Sequence, residues 1–166
     1  MSQISLLNDI NCGASLSSCR TYRYSLWREW DKNKGVCVFI GLNPSTADES
    51  IDDPTIRRCI GFAKAWGYGR LVMVNLFAIR ATDPNDMKTS SDPIGCENNA
   101  FLLKECESAN LIVAAWGNHG THMNRYKDVS HLLSHLSMKC FKITKSHQPA
   151  HPLYQPGSAA LVDYRL

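Results

Sequence analysis

Val36-Cys37-Val38-Phe39-Ile40-Gly41-Leu42-Asn43-Pro44-Ser45-Thr46 is the stretch on which the fold turns. Its uninterrupted apolar run, Val36–Ile40, makes Val36–Leu42 a strand buried on both faces, the kind that parallel sheets contain. Gly41-Leu42-Asn43-Pro44 then stops the run with a stiff turn. It leaves an amide side chain, the Ser45 and Thr46 hydroxyls and free backbone N–H groups at the strand's carboxyl end. In open α/β sheets that edge is where ligands bind.

The same rhythm continues downstream. Asp53-Pro54 reads as a helix start, with Asp at the N-cap and Pro at the first helical position. Ile56, Cys59, Ile60, Phe62, Ala63 and Trp66 follow at helical spacing, and Gly67-Tyr68-Gly69 stops them. Leu71–Phe77 is a second buried strand, followed by a loop containing Asp83-Pro84. Asp92-Pro93 predicts a second helix running to about Ser108. Leu111–Trp116 is a third strand, closed by Gly117-Asn118-His119-Gly120. A third helix is expected from about Thr121 to Leu136, a fourth strand over Cys140–Thr144 and a last helix from Ser158. Strands alternating with helices predict an α/β fold: a three-layer α/β/α sandwich around a central, mainly parallel four-stranded sheet. Residues 1–19 have no clear period and read as a poorly ordered lead-in. Arg20–Trp30 is rich in arginine and aromatics, as an edge strand or a covering helix would be. Residues 20–166 form a single domain in this reading.

Composition narrows the function. The chain has 166 residues, 44% hydrophobic and 20% charged, which suits one soluble domain. No apolar run approaches the roughly 20 residues that span a bilayer. The first residues lack the basic start and apolar core of a signal peptide. No membrane partner is expected, and the location is read as cytoplasmic. Eighteen basic against fifteen acidic residues give a net charge of +3, which permits a polyanion without demanding one. Seven cysteines without a Cys-x-x-Cys pair read as free thiols. His119 and His122, and His131 and His135 on an expected helix, are metal-ligand spacings. No Glu follows His131 and no cysteine lies near, so neither metal nor cofactor is expected.

In a parallel sheet the strand ends gather Asn43, Asn75, the Gly117-Asn118-His119 turn and the loop holding His151. Amides both donate and accept hydrogen bonds, as reading a nucleobase edge requires. The set contains no acidic nucleophile. Each member has a plainer reading. Asn43-Pro44 is a common turn pair, His151 is also an ordinary loop histidine, and Arg57 and Arg58 suit a solvated helix face. Asn75 in an apolar strand is the hardest to dismiss, because an unsatisfied buried amide costs about 1–3 kcal/mol.

At these residues the chain resembles the uracil-DNA glycosylase superfamily. Gly41-Leu42-Asn43-Pro44-Ser45 resembles its water-activating motif, in the form used by the mismatch-specific and thymine-directed branches. Leu71–Asn75 resembles the strand that carries the base-reading Asn. Ile112–Gly117 resembles the apolar strand ending in Trp-Gly, and His151-Pro152 the distal loop whose histidine steadies the leaving base. The resemblance implies catalytic roles for Asn43 and His151 and base binding by Asn75, with Phe77 and Tyr154 as stacking candidates beside Tyr24 and Trp27. It implies a phosphate-holding loop around Gly41, Pro44, Ser45 and Thr46, with Asn118 and His119 nearby. The implied partner is DNA or a nucleotide with a pyrimidine base. The implied reaction is metal-independent hydrolysis of the N-glycosidic bond of a pyrimidine base, with a modified pyrimidine as the expected target. A non-catalytic base-binding module and an enzyme remodelling a pyrimidine substituent are the alternatives.

Two features depart from that pattern. The most active uracil-excising branch has Asp where this chain has Asn43, and an amide positions water but takes no proton near pH 7. Leu153-Tyr154-Gln155-Pro156 lacks the Ser-Pro run and intercalating Leu used in duplex base flipping. Over residues 20–165 the chain is more narrowly similar to a domain family of bacterial and phage proteins of uncharacterised activity. The similarity runs through Gly41–Asp48, Asp53-Pro54-Thr55, Arg57-Arg58-Cys59, Trp66-Gly67-Tyr68, Asn75-Leu76-Phe77, Arg80–Pro84 and His151–Tyr154.

Overall fold

A computed structural model describes residues 11–165. Seven strands are present among them: β1 (Asn11–Leu16), β2 (Arg23–Glu29), β3 (Val36–Gly41), β4 (Arg70–Asn75), β5 (Leu111–Ala114), β6 (Met138–Cys140) and β7 (Val162–Tyr164). Four α-helices join them: α1 (Pro54–Ala65), α2 (Pro84–Thr89), α3 (Asn98–Glu107) and α4 (Arg125–Leu132). The strands form one sheet in the order β1-β2-β4-β3-β5-β6-β7.

The first three strands expected from apolar runs are β3, β4 and β5, and with β6 they form the contiguous parallel set β4-β3-β5-β6. The fourth lies at Met138–Cys140, ahead of the expected Cys140–Thr144, which shares only Cys140 with it. The sheet is nevertheless larger and mixed. β1 and β2 add antiparallel on one side and β7 on the other. β1 occupies residues expected to be an irregular lead-in; residues 1–10 lie outside the described residues. Its Asn-Cys-Gly-Ala-Ser stretch lacks apolar alternation because Gly13 faces Trp27 across the pair. The indole lies where a Gly13 side chain would be, 2.2 Å from an ideal Cβ. β2 is an inner strand, not an edge. Its buried Arg28 is absorbed by Asp52 and by backbone carbonyls including Gly13 and Asp48.

Alternate residues of the parallel strands feed two cores. Val38, Ile40, Val72, Val74, Ile112 and Ala114 pack against Met87, Leu102, Cys106 and Val129 of α2, α3 and α4. Cys37, Phe39, Leu71, Met73 and Val113 pack against Ile56, Cys59, Phe62 and Ala63 of α1 on the other face. All seven cysteines are free, and Cys37, Cys59, Cys106 and Cys140 are buried.

α1 starts as its sequence predicts, with Asp53 Oδ1 accepting from the Ile56 N–H at 2.9 Å. Other boundaries differ. Asp83-Pro84 opens the short helix α2, with Asp83 as its cap. Asp92-Pro93 opens no helix: Asp92 accepts from Gly95 N–H in a local turn. The Pro93 and Ile94 carbonyls accept from Ile79 and Ala78 N–H. Helix α3 therefore begins only at Asn98. Met123 and Asn124 adopt left-handed φ values of 56° and 53°, which divides the expected third helix into a 3-10 segment, Asn118–Asn124, and α4. No helix starts at Ser158 among the described residues: the segment leads into β7, whose three residues pair with β6 instead.

Candidate functional site

β3 is the point from which the chain winds both ways. α1 carries it to β4 on one side, and the later crossover delivers β5 to the other. A crevice opens at the carboxyl ends of strands at such a switch point. Here it is a cleft of about 600 Å³, floored by Gly41, Asn75 and Trp116. That volume lies within the range of small-molecule sites.

Asn75 lies opposite Gly41 in the parallel register. An ideal Cβ on Gly41 would stand 2.7 Å from Asn75 Oδ1, so glycine is what lets the amide lie across the neighbouring strand. Asn75 is 3% exposed, and its Nδ2 is buried without a hydrogen-bond partner.

Asn43 also lines the cleft. Its Nδ2 donates to the Pro44 and Ala81 carbonyls at 2.9 and 2.8 Å. The turn reading is met by the nitrogen, which fixes the loop and with it the place of the side-chain oxygen. Pro44 is buried behind it. Ser45 borders the cleft. Thr46 is exposed and is not among the lining residues.

His151 caps a single 3-10 turn, Pro152–Tyr154, and its Nδ1 accepts from Leu153 N–H at 3.2 Å. In the neutral ring the proton therefore sits on Nε2. Burial lowers the His151 pKa, with the nearby Asp53 carboxylate opposing it, so the ring is neutral at pH 7. The loop is held to the sheet by Gly117 N–H donating to the Pro149 carbonyl. Arg58 of α1 donates to the Gln155 carbonyl. Trp116 below is fully buried, with Nε1 donating to Gln148 Oε1 at 2.9 Å.

Asn118 and His119 stand at the rim. Asn118 Oδ1 accepts from the Thr144 hydroxyl at 2.6 Å, and burial lowers the His119 pKa. Tyr154 is 82% exposed at the mouth, its ring 5.7 Å from that of His151. Phe77 is not brought to the cleft. It is fully buried in the core under α2, α3 and α4, beside His122. Tyr24 is likewise buried elsewhere, stacked on Phe101. His131 and His135 do not share a helix face, because α4 ends at Leu132 and His135 meets Glu107 instead. Among the described residues no three potential metal ligands cluster.

Two buried charged residues, besides the exposed Lys142, join the cleft that the sequence reading did not place there. Asp53, 8% exposed, lines it, so the site holds a carboxylate after all. Its sequence signal was spent on its helix cap, yet only Oδ1 serves that cap. Arg23 of β2, 2% exposed, lines it too.

A family pattern matches residues 23–153, from Arg23 to the turn after His151. The chain belongs to the family described as "Protein of unknown function (DUF1643)". The matched span carries Gly41, Asn43, Asp53, Asn75 and His151, leaving Tyr154 just outside. No curated protein and no solved structure matches the chain.

Proposed function

We propose that this member of the family binds a pyrimidine base, in DNA or in a nucleotide, and hydrolyses its N-glycosidic bond without a metal. One observation carries the reading. A buried amide nitrogen without a partner, on Asn75, stands in the same cleft as the neutral imidazole of His151. Leaving such a donor unsatisfied costs about 1–3 kcal/mol, a cost that a bound base edge would offset. The order of the motifs along the chain and the strand ends that carry them support a uracil-DNA glycosylase-like arrangement.

In this mechanism Asn75 reads the Watson–Crick edge of the base. Water attacks the anomeric carbon as the carbon–nitrogen bond breaks and its electron pair leaves with the base. His151 Nε2–H donates to a base carbonyl as negative charge develops there. Pre-aimed donors of this kind are worth about 10²–10³ in rate. Asn43 Oδ1 orients the water. Asp53 takes the proton that neither amide can accept, which answers the absence of Asp at position 43. Tyr154 closes over the base from the mouth.

One observation favours binding without cleavage: position 43 holds an amide, which takes no proton from an attacking water. The same experiment separates the readings. Oligonucleotides and free nucleotides bearing uracil, 5-hydroxymethyluracil or hypermodified pyrimidines are incubated with the wild type, Asp53→Asn and His151→Ala. Mass spectrometry then looks for released base. Asparagine remains a good helix cap, so Asp53→Asn tests chemistry with α1 intact. Release by the wild type, lost in both variants, is expected. Binding without release supports a recognition module. A mass change in the base without release supports substituent remodelling. Neither binding nor turnover on any probe sinks the reading.

A further inference from the structure

Three arginines among the described residues are buried to 3% exposure or less, and they differ in one respect. Arg28 is saturated: Nε pairs with Asp52 at 2.8 Å, and Nη1 and Nη2 donate to backbone carbonyls, Nη2 to Asp48 at 2.6 Å. Arg125 donates from Nε to the Leu76 carbonyl at 2.8 Å and from Nη2 to Asn99 Oδ1 at 2.6 Å. Neither lines the cleft. Arg23 does, and its hydrogen bonding is largely unspent. Nη1 donates to the Ala47 carbonyl at 3.0 Å, while Nε has no partner. A guanidinium carries five N–H donors, and a buried charge is ordinarily paired.

The surrounding carboxylates do not supply that pair. Asp52 is taken by Arg28 and Glu49 by Arg20. Asp48 Oδ1 accepts from the Ser50 and Ile51 N–H groups. Asp53 Oδ1 caps α1, and Asp53 makes no ion pair with Arg23 within 4.0 Å. Burial pulls the Arg23 pKa down to about 10; Arg80 and Arg28 add to the fall, and Asp53 and Asp48 oppose it. Arg23 is therefore still a cation at neutral pH, with most of its donors uncommitted. Lys142 and the Ser45 hydroxyl also border the cleft.

We infer that Arg23 is the receptor for a phosphoryl group of the cleft's ligand, so that base and phosphate are held in one cavity. The planar guanidinium fork matches two phosphate oxygens at once. The inference rests on the nucleotide reading of the cleft and adds that the ligand enters bearing a phosphate, as a nucleotide monoester or as a polymer diester.

The test is calorimetric titration of the full chain with thymidine, thymidine 5′-monophosphate, inorganic phosphate and a short thymidine oligonucleotide, for wild type, Arg23→Gln and Arg23→Lys. Wild type is expected to bind the monophosphate ~10- to 100-fold tighter than thymidine, the value of a charge-assisted hydrogen bond. Arg23→Gln removes that advantage, and Arg23→Lys, which keeps the charge but not the fork, restores it only in part. Tighter binding of the oligonucleotide than of the monophosphate assigns the phosphate to a polymer, and the reverse assigns it to a free nucleotide. Equal affinity of wild type for thymidine and its monophosphate overturns the inference while leaving the base site standing. Equal binding of inorganic phosphate and the monophosphate, with thymidine silent and both lost in Arg23→Gln, upholds Arg23 and overturns the base site. No binding by any probe overturns both. An undiminished advantage for the monophosphate in Arg23→Gln overturns the inference, and should that variant fail to fold, the same result in Arg23→Lys overturns it.

Discussion

Gly41→Ala tests whether the cleft is built around the Asn75 amide. The added Cβ would stand 2.7 Å from Asn75 Oδ1 and 3.5 Å from Met73 Sδ. Ordinary contact begins at 3.4 Å, so the sulfur accommodates the methyl and the amide does not. Asn75 has to move by about 0.7 Å or turn to another rotamer, and with Nδ2 buried there is little room to turn. Forcing a methyl into a packed site costs about 1–3 kcal/mol. Replacing a strand glycine returns about 0.5–1 kcal/mol. The net loss is about 0–2.5 kcal/mol, and a domain of this size drops about 2–4 °C in Tm per kcal/mol. The expected fall is therefore at most about 10 °C. Ligand binding suffers more. Misplacing a donor and an acceptor worth about 1 kcal/mol each lowers nucleotide affinity about 10- to 30-fold. Thermal unfolding and calorimetric titration with thymidine 5′-monophosphate measure the two effects on the same sample. A variant that keeps wild-type affinity would show that Asn75 does not read the ligand. One that loses more than ~15 °C would show that the Gly41–Asn75 contact is a packing device above all.

Two further substitutions probe the same edge. Gly120→Ala sets a Cβ 2.1 Å from Trp116 Cδ1 and 2.5 Å from Nε1, against an indole pinned by Gln148. It should cost about 2–4 kcal/mol from overpacking and the strained hydrogen bond, seen as an earlier midpoint in urea; an unchanged midpoint would mean the indole is free to shift. For His151 the folded pKa lies below its unfolded value of about 6.5, so the unfolded chain binds more protons as pH falls. Stability is then full above about pH 6.5 and declines as pH drops through the lowered folded value. His151→Gln should flatten part of that decline below about pH 6.5, leaving the share of His119, which is shifted the same way. An unaltered pH profile in that variant would argue against a buried neutral ring.

The parallel centre of the sheet was legible because strands covered on both faces need apolar residues throughout. Asn75 stood out because it breaks such a run at its end. What escaped notice has physical causes. β1 has a glycine where its partner's indole packs, so its pattern is completed by another strand. β2 carries two arginines that tertiary contacts bury, and composition marks such residues as exposed. Asp53 was visible as a cap, but one oxygen is enough for that duty. Phe77 follows Asn75 by two residues, yet the chain leaves the sheet between them. Phe77 N–H bonds the Leu42 carbonyl, and its ring gains more from the core than from the cleft.

β3, which ends in Gly41, is the fourth of seven strands, with three on either side. Local opening starts where fewest neighbours hold the backbone, here at β1 and β7. Either margin can peel away and re-pair without the ends of β4, β3 and β5 parting. The amide protons of Phe39, Ile40 and Val74 are thus released to solvent only when the whole domain opens. A binding crevice in this position is as durable as the fold itself, and mutations that loosen the margins are spent before they reach it.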